Sequence, residues 1–274
     1  MSPVPPKVFV ATPTTNGIML SQHVGAVVHM VNRLHAAGIG TQYATVDGPN
    51  LILQRDLLAH LFLQSDATHL LWVDSDMSFE PGLCEKLLAF DKPLVGTIYT
   101  RRALDLGRLK SLIPAHGFDH ALALAYNWNV RLLGPRLEVA NGLCKVEGIG
   151  FGFTLIARAC FEELAKGGDC PAYESPLTGS KVHAFFRETA ADNGALLDLD
   201  YSFCKRWVDR GGEVLAYVGA NICHVGDFRY GVPFAAYLAA LQAAKPDVPP
   251  DAQGVSKRQT PAAATSRNGN GAGH

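Results

Sequence analysis

The chain has no excess of either charge, no paired-cysteine spacing and no long apolar run. Its 24 Lys+Arg against 25 Asp+Glu leave a formal net charge of -1. No general electrostatic attraction to nucleic acid or to an anionic membrane is therefore expected. The six cysteines, Cys84, Cys144, Cys160, Cys170, Cys204 and Cys223, show no CxxC pair and no zinc-type spacing. Several lie in apolar stretches where free thiols pack, so they read as reduced and structural. No stretch approaches the ~18 apolar residues that a membrane span needs. The start, MSPVPPKVFVATP, lacks the charged opening and apolar run of a signal peptide, so the expectation is a soluble cytoplasmic protein.

What is present suits a globular α/β protein. At 274 residues and 48% hydrophobic content, one substantial core is the default, here assigned to residues 1–244. Residues 7–12 (KVFVAT) form a β-rich run ending at Pro13, and Val24, Val27, Val28, Val31 and Leu34 then recur at helical spacing up to Gly38. A strand at 41–46, a helix through Leu53, Leu57, Leu58, Leu61 and Phe62, and a strand at 69–73 (HLLWV) complete a βαβαβ order. That order predicts a mostly parallel central sheet flanked by helices. A short helix from Pro81 to about Phe90 and a buried strand at 93–99 close a first half at 7–102.

Residues 103–136 carry no clean period and read as an irregular insertion of the kind that lines clefts. In the second half, 103–230, strand-like LEVA, LCKVEGIG and FTLIA precede a helix at 158–166 and an aromatic strand VHAFFR at 182–187. A helix from about Asp200 then ends at Gly211-Gly212 and leads to EVLAYV and ANICHVGDF. A short amphipathic segment follows around Phe234, Tyr237, Leu238 and Leu241. From 245 to 274 Pro, Ala, Gly, Asn and Ser dominate, and disorder is expected.

The chemistry points to HLLWVDSDMSFEP. The apolar strand ends at Asp74, which puts Asp74 and Asp76 on the loop beyond its carboxyl end, where open α/β sheets bind ligands. Two carboxylates one residue apart suit a hard divalent ion bridging to phosphates, and such an ion offsets the charge that grows on a departing diphosphate. An Asp-x-Asp triplet is not rare, and Asp198-Leu199-Asp200 is a second one here. The preceding strand and the Met-x-Phe-x-Pro that follows make the first triplet the informative one.

VDSDMSFEP, preceded by THLLW and followed by DKPLVGTIYTRR, resembles the DxD region of GT-A glycosyltransferases, notably family 2-like bacterial and phage members. The resemblance implies the GT-A (nucleotide-diphospho-sugar transferase) fold over most of 7–230, with Mn²⁺ or Mg²⁺ as cofactor. It implies that Asp76 binds the metal held by the diphosphate and that Asp74 contacts the ribose or supports the ion. LDLDYSFCKRWVDRGGEV resembles the family's ED region with Leu199 in place of the first acid, which makes Asp200 the candidate general base. A helix N-cap or first-turn acid is the other reading of Asp200. His224 stands where the family places a late metal-ligating His, and a packed or surface His is the alternative.

VEGIGFGFTLIARACFEEL resembles the acceptor-side strand and loop, with Gly148, Gly150 and Gly152 as candidates; a β-bulge is the competing reading. Without a strand-to-helix phosphate turn, GxGxG here is no dinucleotide fingerprint. Thr12 and Pro13 end the first strand where this fold cradles the nucleotide base. Arg55 resembles a basic residue near the nucleotide, or is a solvated helix Arg, and Arg101 and Arg102 after the fourth strand are placed to contact phosphate or acceptor, with a surface pair as the safer reading.

The expected activity is sugar transfer from a nucleotide-diphosphate sugar to an acceptor that is a glycan, a lipid-linked glycan, a protein or modified DNA. A catalytically degenerate nucleotide-sugar-binding protein is the non-enzymatic alternative, given the missing first acid. A sugar-phosphate nucleotidyltransferase is disfavoured, because TPTTNGIMLSQ after the first strand has no basic residue.

Overall fold

The computed structural model describes residues 5–134, 136–226 and 229–243. Its centre is an eight-stranded sheet made of β1 (Lys7–Thr14), β2 (Gly40–Asp47), β3 (His69–Val73), β4 (Leu94–Thr97), β5 (Val139–Ala140), β6 (Leu143–Val146), β7 (Phe153–Ala157) and β8 (Val214–Tyr217). The spatial order is β2-β1-β3-β7-β4-β8-β6-β5. All strands run one way except β6 and β7, so the sheet is mostly parallel. One sheet thus takes strands from both halves of the chain.

Helices α1 (Ser21–Ala36), α2 (Leu51–Gln64), α3 (Leu83–Ala89), α4 (Leu106–Ala125), α5 (Arg158–Lys166), α6 (Leu199–Asp209) and α7 (Phe234–Ala243) accompany it. The two largest apolar clusters share out the strand side chains by alternation. Val8, Val10, Leu71 and Val73 pack with α1 and α3 residues, while Phe9, Ala11, Leu70 and Trp72 pack with α2, α5 and α6 residues. No helix among the described residues is long and apolar enough to cross a membrane. Five of the six thiols are buried and Cys223 is partly so, with no disulfide among them.

Two segments differ from the sequence expectation. Residues 103–136 are not irregular throughout, because α4 occupies 106–125 and packs against α7. Pro114 and a non-helical Gly117 (φ 71°) kink α4 and interrupt its period, which hides it in the sequence. Of VHAFFR only Val182 and His183 lie in a strand, Lys181–His183. Phe185 and Phe186 instead enter the core as irregular chain, against Phe161, Trp72, Phe151 and Phe203. Residues 245–274 lie outside the described residues.

Candidate active site

The Asp74–Asp76 loop leaves the carboxyl end of β3 and is fixed by backbone bonds from three directions. Asp74 N–H donates to the Gly152 carbonyl (3.2 Å), Leu20 N–H donates to the Ser75 carbonyl (3.1 Å) and Val225 N–H donates to the Asp76 carbonyl (2.8 Å). The short strand Met77–Phe79 then pairs antiparallel with Ile222–Val225, with His224 opposite Met77. That ladder brings a residue 148 positions away onto Asp76: His224 Nε2 lies 3.0 Å from Asp76 Oδ2. His224 Nδ1 faces the Thr100 carbonyl at 3.2 Å, and its ring packs edge-on to Tyr99.

This pairing allows two proton arrangements. With the proton on Nε2, His224 donates to Asp76. With the proton on Nδ1, donated to Thr100, the Nε2 lone pair and Asp76 Oδ2 become two donors to one cation. Cis ligands at about 2.0–2.1 Å on an octahedral ion stand about 3 Å apart, so the spacing suits such an ion. Among the described residues no three His, Cys, Asp or Glu form a metal site by themselves, so a cation here would need further oxygens from its ligand. Burial alone would raise the Asp76 pKa. The His224 hydrogen bond and the His224 and Arg102 charges outweigh it and hold Asp76 below the ordinary carboxylate range. Arg102 Nη2, on a half-exposed side chain, is 3.4 Å from Asp76 Oδ2.

A second cluster centres on Arg55 of α2, which is 1% exposed. Its Nη2 donates to Asp74 Oδ1 at 3.0 Å. Its Nη1 lies 3.0 Å from Asp200 Oδ1, an ion pair too poorly angled to be a hydrogen bond, so Asp200 Oδ1 keeps its accepting capacity. Asp200 Oδ2 accepts from Phe151 N–H at 2.8 Å. Burial pushes Asp200 up to about 7 against the pull of Arg55, with the Asp74 charge adding to the rise. Burial likewise raises Asp74, opposed by Arg55 and reinforced by Asp76. The N-cap of α6 is Asp198, whose side chain accepts from Tyr201 N–H. Asp200 is therefore a first-turn residue and not the cap.

Several sequence expectations meet a different placement. Thr12 and Pro13 are buried inside β1, which runs on to Thr14. Polar groups at the carboxyl ends of β1 and β2 include Asp47, which accepts from the Thr14 hydroxyl (3.0 Å) and from Gly17 N–H (2.7 Å), and Gln54, which donates to the Thr14 carbonyl (2.9 Å). Arg55 is no solvated helix residue: its guanidinium is buried and faces Asp74, Asp200 and three aromatic rings.

The glycine run makes room for this chain's own side chains. A Cβ on Gly148 would stand 2.7 Å from the Tyr201 ring, one on Gly150 1.8 Å from Asn129 Nδ2, and one on Gly152 2.7 Å from Tyr99. The spaces beside these glycines are thus filled without an acceptor. They hold a partly buried relay in which Tyr201 OH donates to Asn129 Oδ1 (2.8 Å), Asn129 Nδ2 donates to Tyr99 OH (2.7 Å) and Gly152 N–H donates to Tyr99 OH (2.9 Å). We expect Gly150→Ala to cost about 1–3 kcal/mol by overpacking against Asn129 and Tyr99, read as a shift of the denaturant midpoint. An unchanged midpoint would contradict this packing.

Asn129 lies in no motif of the sequence, and Tyr99 in DKPLVGTIYTRR and Tyr201 in LDLDYSFCKRWVDRGGEV lie in segments read for other residues. His23 of α1 is a further surprise: it is buried, with neither ring nitrogen hydrogen-bonded among the described residues. Burial lowers its pKa, opposed by the nearby Asp74 and Met77 backbone and the Asp76 charge.

No protein-family model matches the chain, and no curated protein matches it. Among solved structures it is similar to A197 from STIV, at 15% identity over 84% of this chain and 91% of that one, with a TM-score of 0.45. It is also similar to a glycosyltransferase involved in the glycosylation of the major capsid of PBCV-1, at 9% identity, 58% and 63% coverage and a TM-score of 0.31. A third is UDP-glucose pyrophosphorylase complexed with UDP-glucose, at 10% identity, 88% and 98% coverage and a TM-score of 0.39.

Proposed function

We propose that this protein is a GT-A-type glycosyltransferase, which moves a sugar from a nucleoside-diphosphate sugar to an acceptor hydroxyl. The observation that carries the reading is the convergence of three carboxylates, Asp74, Asp76 and Asp200, with His224 positioned by the Thr100 carbonyl. Asp76 and His224 would hold Mn²⁺ or Mg²⁺ together with diphosphate oxygens, and Asp74 would support the donor. When bound, the cation would offset the charge that grows on the leaving diphosphate.

Arg102, close to Asp76 and half exposed, would add a second positive charge at the diphosphate. Asp200 would act as the base. As the acceptor oxygen forms its bond to the anomeric carbon, the bond to the diphosphate breaks and the nucleoside diphosphate leaves with the electron pair. The hydroxyl proton passes to the Asp200 carboxylate. A carboxyl poised at about 7 suits that task, because a base works best with a pKa near the operating pH.

The test is a panel of nucleotide-sugars incubated with Mn²⁺, scored for released nucleoside diphosphate. We expect release from at least one donor and its loss on chelation. Release from none, with formation of a nucleotide-sugar from nucleoside triphosphate and sugar phosphate instead, would replace transfer by nucleotidyl transfer.

A further inference from the structure

We propose that Arg55 is a positioning residue that fixes Asp74 and Asp200 in one geometry, so that a single buried cation holds the donor end and the acceptor end of the site as one unit. The assignment of the two ends rests on the transfer reading above, whereas the shared counter-ion does not.

Arg55 rises from α2 into the interior, where it is 1% exposed. Its two terminal nitrogens are divided between carboxylates from different elements, Asp74 after β3 and Asp200 in the first turn of α6, each at 3.0 Å. The guanidinium carbon stands 5.1 Å from the Trp72 ring centroid, 5.6 Å from Phe151 and 5.7 Å from Phe186. Three rings therefore restrict where the planar fork can go and add cation–π attraction.

The choice of residue follows from the geometry. A lysine carries the same charge but as a point, so it cannot donate to Asp74 and at the same time keep a second nitrogen 3.0 Å from Asp200. Burying an ion cluster is also a poor route to stability, since well-packed apolar residues commonly do as well. Its partners are not sealed in with it: the side chains of Asp74 and Asp200 are 25% and 15% exposed. Both carboxylates thus stay partly open to a ligand while Arg55 sets their positions. Phe151 completes the arrangement, since its N–H holds the other Asp200 oxygen while its ring flanks Arg55.

Arg55→Lys, assayed well below its own unfolding transition, should lower kcat at saturating donor by at least ~10-fold and also weaken Mn²⁺–nucleoside diphosphate binding several-fold. By contrast, Asp200→Asn should change only kcat, and a residue that matters for stability alone would change neither. Millimolar guanidinium should restore part of kcat to Arg55→Ala and none to Asp200→Asn. Folded Arg55→Lys with wild-type kcat and donor affinity would overturn the proposal.

A readout without turnover keeps the two readings separable, including in a wild type that transfers nothing. Guanidinium should raise the melting temperature of Arg55→Ala, and should not do so when Asp74 and Asp200 are both Asn. An equal response in both backgrounds would overturn the shared counter-ion. Failure of every donor in the wild type, with this thermal rescue intact, would sink the transfer reading alone. If Arg55→Ala does not fold, Arg55→Lys carries the test through its kcat and donor affinity.

Discussion

Asp200→Asn should lower the transfer rate by at least ~10²-fold while leaving donor binding near wild type, because an amide accepts hydrogen bonds but takes no proton from the acceptor. The substitution keeps the shape of the carboxyl, and the Phe151 N–H can still be met by the amide oxygen. Its pH signature is specific. The base must be ionised, so wild-type kcat/KM should fall as pH drops below about 7, the value to which burial lifts Asp200, and the residual activity of the Asn variant should lack that limb.

The same shift has a stability consequence with a definite sign. Between the ordinary 3.8 and about 7 the folded protein binds a proton at Asp200 that the unfolded chain has released. The contribution is therefore fully present below pH 3.8 and lost as pH rises through about 7. The melting temperature of Asp200→Asn relative to wild type should rise across that window. Transfer by the Asn variant within a few-fold of wild type would remove Asp200 as the base.

Asp76→Ala should weaken Mn²⁺-dependent binding of a nucleoside diphosphate by at least ~100-fold, and His224→Ala should do the same. Losing an outer partner of a metal ligand already costs 10–100-fold, so loss of a direct ligand should cost no less. The two substitutions should be strongly non-additive, since either one removes half of the same two-donor pair. Because Asp76 Oδ2 and His224 Nε2 are 3.0 Å apart and no group of three His, Cys, Asp or Glu forms a metal site among the described residues, the ion alone should bind weakly and the nucleotide should tighten it. Calorimetry with the ion alone, the nucleotide alone and both together would separate these cases. Equal nucleotide affinity for wild type and Asp76→Ala would end the metal assignment.

The sequence made the sheet legible because its signals are local. HLLWV is an apolar run stopped by Asp74, and the strands and helices on either side keep their own periods, so the position of the Asp74–Asp76 loop at the carboxyl end of β3 was readable. The approach of His224 to Asp76 was reached only through family resemblance, since the Met77–Phe79 ladder that produces it joins segments far apart in the chain.

What stayed hidden was tertiary. Pro114 and Gly117 broke the period of α4. Phe185 and Phe186 carry strand-like composition because both are buried, although neither lies in a strand. The glycines at 148, 150 and 152 gave no hint that Tyr201, Asn129 and Tyr99 fill the space beside them. Arg55 read as a basic residue near the nucleotide or as a solvated helix arginine, and nothing in LILQRDLL says that Asp74 and Asp200 both stand 3.0 Å from it.

The most direct measurement is calorimetric titration of the wild-type protein with UDP and with GDP, each with and without Mn²⁺. The account predicts binding of at least one of the two nucleotides when Mn²⁺ is present, and its loss when the ion is chelated. Binding that is equally tight without any divalent ion, or no binding of either nucleotide with Mn²⁺ present, would contradict it.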